Sequence, residues 1–510
     1  MLRRTLIPAA VGSLLVAMFV GAAGSAGAAP GSAGSARARI ADHHATIRPA
    51  GVVDVSKLPR VTHQQGVPAR SIPLRTVAGP AGPSHPAVGA KSGASPLVTA
   101  TKGTELTSAL AASDNSSALT PPDMGLAVGG GKKVQMVNVV GRIWTGTTAG
   151  SVFSLNSFFL AGSNFLSDPT VRFDSASGRF FAGIFDVTLG GERIAVSTSS
   201  DPGGSWVVYA VRYPGEPGGG CPDQGKLGID SDVVGLGFNE FSGVGCTGSF
   251  LGAGLEVFNK SQMVAGTSVN FVYTAPLPTY FSLIPAQAMT ASTTLWFASV
   301  TPGSGSVVHR VTSVGVPPAT VTLTAQADVT VNAYASPPAA PQKGTTTKVA
   351  AGDDRVQNVV WSGGNLALAL SDKCTPAGDT GKRACARVIS MTDAGVKKQD
   401  VDFARLKHYY YYPSIGVTSA SNIVVTFAES GKKTFPQLDA AALPLVTGAA
   451  SSVIVIHAGT QANVSGRYGD YFAVAIDPAA TTNAWVAGEV GGPLSGGLNW
   501  NTAVAQVIVT

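Results

Sequence analysis

Charge is scarce in this chain: Asp, Glu, Lys and Arg make up only 13% of the 510 residues, leaving Ser, Thr and Asn to keep the surface wet. The formal net charge of +6 is concentrated at the N-terminal end. Residues 1–100 hold ten Lys or Arg against two Asp, and the remainder holds 25 basic and 27 acidic residues. A nearly neutral body has no field to attract phosphate backbones, which excludes non-specific nucleic-acid binding. Long apolar runs are also missing. Past the first twenty residues none approaches 18 in a row, so no membrane span is expected. There is no Gly-x-Ser-x-Gly elbow, His-Glu-x-x-His pair, Cys-x-x-Cys or phosphate loop; Gly243–Gly248 imitates a dinucleotide loop, but no helical pattern follows it.

What the chain has in quantity is turns, with 62 Gly and 32 Pro. An apolar run, a short polar turn and a second apolar run recur seven times after about residue 120. The turns are residues 129–133, 174–178, 230–232, 290–294, 362–364, 419–421 and 477–483. Spacings of roughly 45–70 residues leave room for a second hairpin per unit, as at Arg193–Ser197 and Trp206–Val211, or Leu255–Asn259 and Val269–Tyr273. The segments are rich in Val, Ile and Thr, and only Thr104–Ala112 and Leu438–Leu445 show helical spacing. The expectation is an all-β chain, a single β-propeller of seven four-stranded blades over residues 101–510. The last unit runs out at its third strand, so its fourth should come from within Leu97–Ala112 and close the ring.

Arg3 and Arg4, the apolar stretch Leu6–Val20 and the small residues ending at Ala28 read in order as a signal peptide over residues 1–28. The chain is accordingly expected to be secreted, extracellular and monomeric. Residues 29–100 interleave Pro, Gly, Ala and Ser and read as a flexible linker or pro-segment. Four of the seven histidines lie there, His43, His44, His63 and His85, at irregular spacing and without Cys, which reads as solvated linker and not as a metal tail. Cys221, Cys246, Cys374 and Cys385 allow three connectivities. Pairing Cys221 with Cys246 and Cys374 with Cys385 keeps each bridge inside one unit and is the expected one.

The sharpest short motif spans Ser199, Asp201, Gly203 and Trp206. It resembles the Asp-box of sialidase-like propellers, in which Asp accepts turn amides, Gly supplies the backbone angle and Trp packs between blades. The role this implies is structural. A broader resemblance covers residues 121–510, through Pro121-Pro122-Asp123, Asp168-Pro169-Thr170, Gly225-Lys226-Leu227-Gly228, Arg355-Val356-Gln357-Asn358, Tyr411-Tyr412-Pro413 and Tyr468-Gly469-Asp470-Tyr471. These look like a group of secreted bacterial propeller proteins largely without assigned activity.

Each of those motifs opens a unit's first strand, the strand that lines the channel of a propeller. Asp123, Asp168, Lys226, Arg355, Gln357, Tyr412 and Asp470 are therefore the candidate ligand-binding ring at one channel mouth, or else strand caps bonded to the neighbouring blade. The function expected is a binding module for a glycan or cell-envelope polymer, with a carbohydrate-active enzyme at the channel mouth as the alternative. A sialidase could draw on Arg355, Arg467, Tyr409–Tyr412 and Glu429 but lacks a third arginine at a unit start, and a polysaccharide lyase could recruit His408 with Tyr410. No cofactor is expected. Asp230, Asp232, Asp353 and Asp354 are the acidic pairs closest to a calcium spacing and read better as turn formers.

Overall fold

The computed structural model describes residues 38–61, 70–71, 75, 77, 82–89, 98–114, 119–212, 220–495 and 497–510. The expected signal peptide, His63 and much of residues 62–97 lie outside them.

The described chain is all-β and propeller-like, a succession of antiparallel meanders. The first is Gly125–Gly129, Lys132–Val137, Val140–Thr145 and Thr148–Ala149; the second is Leu166–Asp174, Arg179–Asp186, Gly191–Ser197 and Ser205–Arg212. The third is Cys221–Ile229, Val233–Phe241, Phe250–Asn259 and Val269–Tyr273. The fourth, starting at Phe281–Ala288, and the fifth, starting at Val356–Ser362, pair those two first strands in parallel and so merge into one ten-stranded sheet. The sixth is Tyr409–Val417, Asn422–Gly431, Thr434–Pro444 and Ile454–His457. The last consists of Ala473–Ile476, Asn483–Ser495 and Leu498–Val509, completed by Ala100–Glu105 paired antiparallel with Leu498–Val509. The polar turns foreseen in the sequence fall between paired strands in every meander.

Both faces of each sheet are covered by neighbours, which explains the uninterrupted apolar runs. It also corrects the helical reading of Leu438–Leu445. That stretch belongs to a strand in which Leu438, Ala440 and Ala442 pack into one core cluster while Ala441, Leu443 and Leu445 pack into another. Thr104–Ala112 is likewise not a helix; it begins in the closing strand and ends at the short 3-10 turn Ala112–Asp114.

The segment expected to be flexible linker includes strands. Arg39–Ile40, His43–Ile47 and Pro49–Asp54 pair with the outermost strands of the fourth, third and second meanders in that order. An outer strand presents a row of unpaired N–H and C=O groups, which these short strands satisfy while Ile40, Ala45, Ile47 and Val53 pack against the cores beneath. Cys221–Cys246 and Cys374–Cys385 are bonded as expected. At the Ser199–Trp206 turn, Asp201 accepts the Gly203 N–H at 2.9 Å, and the buried Trp206 indole donates to the Pro202 carbonyl at 2.8 Å.

Candidate functional site at the channel axis

The first strand of each meander lies against that of the next, and the last against the first, so these strands surround an axis. Their starts are irregular in a repeated way. Asp123, Asp168, Gln224, Ser282 and Tyr412 all sit at the opening of a first strand with φ between 48° and 60°, a left-handed conformation that non-glycine residues avoid unless neighbours fix it. The neighbours do fix it. Asn138, just past the second strand of the first meander, accepts the Asp168 N–H at 2.9 Å and donates to Asp123 at 2.7 Å. Asn239 accepts the Ser282 N–H at 2.7 Å, Ser371 accepts that of Tyr412 at 2.9 Å, and Asp123 accepts that of Asp470 at 2.8 Å. The first, third and fifth meanders therefore each offer a side chain that holds the start of a neighbouring one.

The candidate ring residues are all buried, and four of them, Asp123, Asp168, Tyr412 and Asp470, are joined by hydrogen bonds directly or through Asn138. Arg467 grips Asp470 through two 2.7 Å bonds, and the Tyr412 hydroxyl lies 3.5 Å from the same carboxylate. Arg355 forks onto Asp353 at 2.7 and 2.8 Å and also donates to Gln224 and to the backbone carbonyl of Arg75. Gln357 is buried with its side-chain oxygen unpartnered, apart from the network. Burial and the charges of Asp470 and Asp168 hold the Asp123 carboxyl well above the usual range. Lys226 has no hydrogen-bond partner among the described residues; its ammonium lies over the Tyr471 ring, and burial brings its pKa down to about 7.

Composition could not have pointed to Arg75. From the N-terminal segment it reaches this mouth, bonding Asp223 at 2.7 Å and the Gly245 carbonyl at 3.2 Å, while Val77 packs beside the Cys221–Cys246 bridge. Three arginines thus gather here, but Arg75, Arg355 and Arg467 are each matched by a carboxylate of the same chain. Such pairs are already satisfied and leave little charge for a ligand.

The alternative catalytic residues sit elsewhere. His408 is hydrogen-bonded to Glu429, Tyr409 accepts from Arg383 at 2.6 Å, and Tyr410 packs on Phe427. Asp230 accepts the Asp232 and Val233 N–H groups at 2.8 and 2.7 Å through one oxygen, and Asp354 takes the Gly303 N–H at 2.9 Å and the Ser336 hydroxyl at 2.8 Å. His85, Asp372 and Asp402 approach one another closely enough for a metal, but Arg387 already bonds Asp372 at 2.7 Å.

At the other end of the axis a cavity of about 370 Å³ opens between the far ends of the first strands. Every meander contributes, for example through Ala127, Arg172, Gln287, Asn358, Gly416 and Ala475, with Asp230 from the turn of the third. A volume of this size suits a small ligand or one or two units of a polymer. The sequence indicated channel-lining first strands but drew attention to their starts, whereas the open space lies at their ends.

No protein-family model matches the chain, and no curated protein does. Among solved structures, a protein of unknown function from Dyadobacter fermentans is 13% identical, with 68% of this chain and 95% of that one covered and a TM-score of 0.38. The Trypanosoma rangeli sialidase is 9% identical, with 67% and 55% covered and a TM-score of 0.34. A polysaccharide lyase, an ulvan lyase, is 12% identical, with 75% and 92% covered and a TM-score of 0.36. Likeness at this level leaves the activity open. The two disulfides, and the absence among the described residues of any helix long and apolar enough to cross a membrane, are compatible with an extracellular protein.

Proposed function

We propose that this chain is a secreted, seven-bladed β-propeller that binds a glycan or cell-envelope polymer in its axial channel. The observation that carries the reading is the 370 Å³ cavity lined from every meander, set against a charged ring at the opposite mouth whose arginines are paired internally. Small side chains and backbone form much of the lining, leaving a few polar groups to orient a ligand. Binding of the purified protein to a glycan array, followed by loss of signal on blocking the cavity with Ala288→Trp, tests it. Retained binding in that folded variant would move the site off the axis.

The enzyme reading rests on one feature, the buried Lys226 amine beside Tyr471 and Glu192. An amine titrating near pH 7 could abstract a proton. Lys226 is not among the residues lining the cavity, which favours binding over turnover. Release of unsaturated products from uronate polysaccharides, lost in Lys226→Met, would reverse that preference.

A further inference from the structure

Arginines at the channel mouth and on third strands of the second and fifth meanders are matched by carboxylates. Arg75, Arg193, Arg355, Arg387 and Arg467 each have a carboxylate oxygen within 2.7 Å. Arg172, on the first strand of the second meander, has no carboxylate partner among the described residues. Its only hydrogen bond there runs from Nε–H to the Leu227 carbonyl at 3.4 Å, and its side chain lines the cavity. The nearby Asp174 is taken by Lys260 at 3.1 Å and by the Ser177 hydroxyl at 2.5 Å. Burial pulls the Arg172 pKa down to about 10, opposed only by the Tyr471 phenol. An enclosed guanidinium without a counter-ion is costly, and a fork of N–H donors facing a cavity is complementary to a planar or tetrahedral oxyanion.

Two more polar groups in the same lining have unmet capacity, and both are acceptors. Asp230 uses one oxygen to hold its own turn and leaves the other, Oδ2, buried and unpartnered; Gln287 leaves Oε1 buried and unpartnered. Buried acceptors need donors, and hydroxyl groups supply them. One cationic fork and two acceptors around a single cavity describe a ligand carrying an anionic group and several hydroxyls.

We infer that the channel cavity binds an acidic saccharide, its anionic group on Arg172 and its hydroxyls on Asp230 and Gln287. The inference rests on the proposed binding role and narrows it to uronic-acid or sulfated sugars. The anion could be a carboxylate or a sulfate ester, and the chemistry Arg172 recognises is common to both.

The test uses the full mature chain and three probes: a glucuronate-containing disaccharide, its carboxyl-reduced counterpart, and that neutral counterpart carrying a 6-sulfate. Calorimetric titration should show at least one anionic probe binding about tenfold or more tighter than the neutral one, the worth of a charge-assisted bond in an enclosed site. The preferred anionic probe identifies the source. Arg172→Met should erase the preference while leaving the neutral probe's affinity unchanged. Should that variant fail to fold, a rise in wild-type melting temperature with the anionic probe and none with the neutral one carries the same information. Equal binding of all three probes would overturn the inference and leave the glycan-binding role standing. If none binds and a glycan array is silent, both fall together.

Discussion

Replacing Asn138 with Ala removes the side chain that ties the first meander to the second. The wild-type amide accepts the Asp168 N–H at 2.9 Å and donates to the Asp123 carboxyl at 2.7 Å and to the Pro121 carbonyl at 3.0 Å, all of it buried. After the change the Asp168 N–H is left without a partner at a backbone angle of φ 59° that needs outside support. One orphaned buried donor costs about 1–3 kcal/mol, and the lost bond to a carboxyl group adds about as much again. The expected loss is thus about 2–6 kcal/mol, seen in calorimetry as a melting temperature lower by roughly 2–6 °C for a chain of this size. Asn239→Ala serves as an internal comparison, since Asn239 holds Ser282 by a 2.7 Å and a 2.8 Å bond in the same relation, and it should cost a similar amount. If Asn138→Ala melted within about 1 °C of wild type, the account of the ring as a chain of inter-sheet ties would be wrong.

Three further outcomes are expected. Lys226 titrates near pH 7 when folded and near 10.5 when unfolded, so the unfolded chain binds more protons between those values and stability climbs across that window. Lys226→Met should flatten the climb and stabilise most below pH 7, and urea midpoints that rise with pH as in wild type would refute this. Replacing Cys374 and Cys385 together with Ser should cost about 3 kcal/mol, the entropy of an 11-residue separation closed by the bridge, and an unchanged denaturation midpoint would count against it. A chain beginning at residue 120 loses Ala100–Glu105 and exposes the edge of Leu498–Val509; it should melt well below the mature protein, and equal melting would remove this closure from the account.

The sheets could be read in the sequence because each turn is polar and local while each strand is apolar on both faces, a pattern that survives without any partner being known. The starts of the first strands were legible as motifs for the same reason, but their purpose was not. Asp123 and Asp470 look like ligand-binding residues until their partners are seen: Arg467 grips Asp470 from three residues away, and Asp123, held by Asn138, accepts the Asp470 N–H from the far end of the chain. Arg172 was overlooked for the opposite reason. It lies two residues past the Asp168-Pro169-Thr170 motif, where nothing in the sequence marks the lack of a partner, a property visible only once every carboxylate has been placed. The strands at Arg39–Asp54 escaped because each is short and buries only one or two apolar side chains, too few to show a period.

Those three strands have a consequence for the order of folding. Arg39 pairs with Thr324, Ile47 with Val269 and Asp54 with Ser205, so this segment waits for partners synthesised some 150 to 285 residues later, and meets them in reverse. A girdle laid on last, across outer edges of sheets that have already formed, works as a fastening and not as a template. Until it is in place the second, third and fourth meanders present bare edges, and that interval is when one copy of this chain is most exposed to pairing with another.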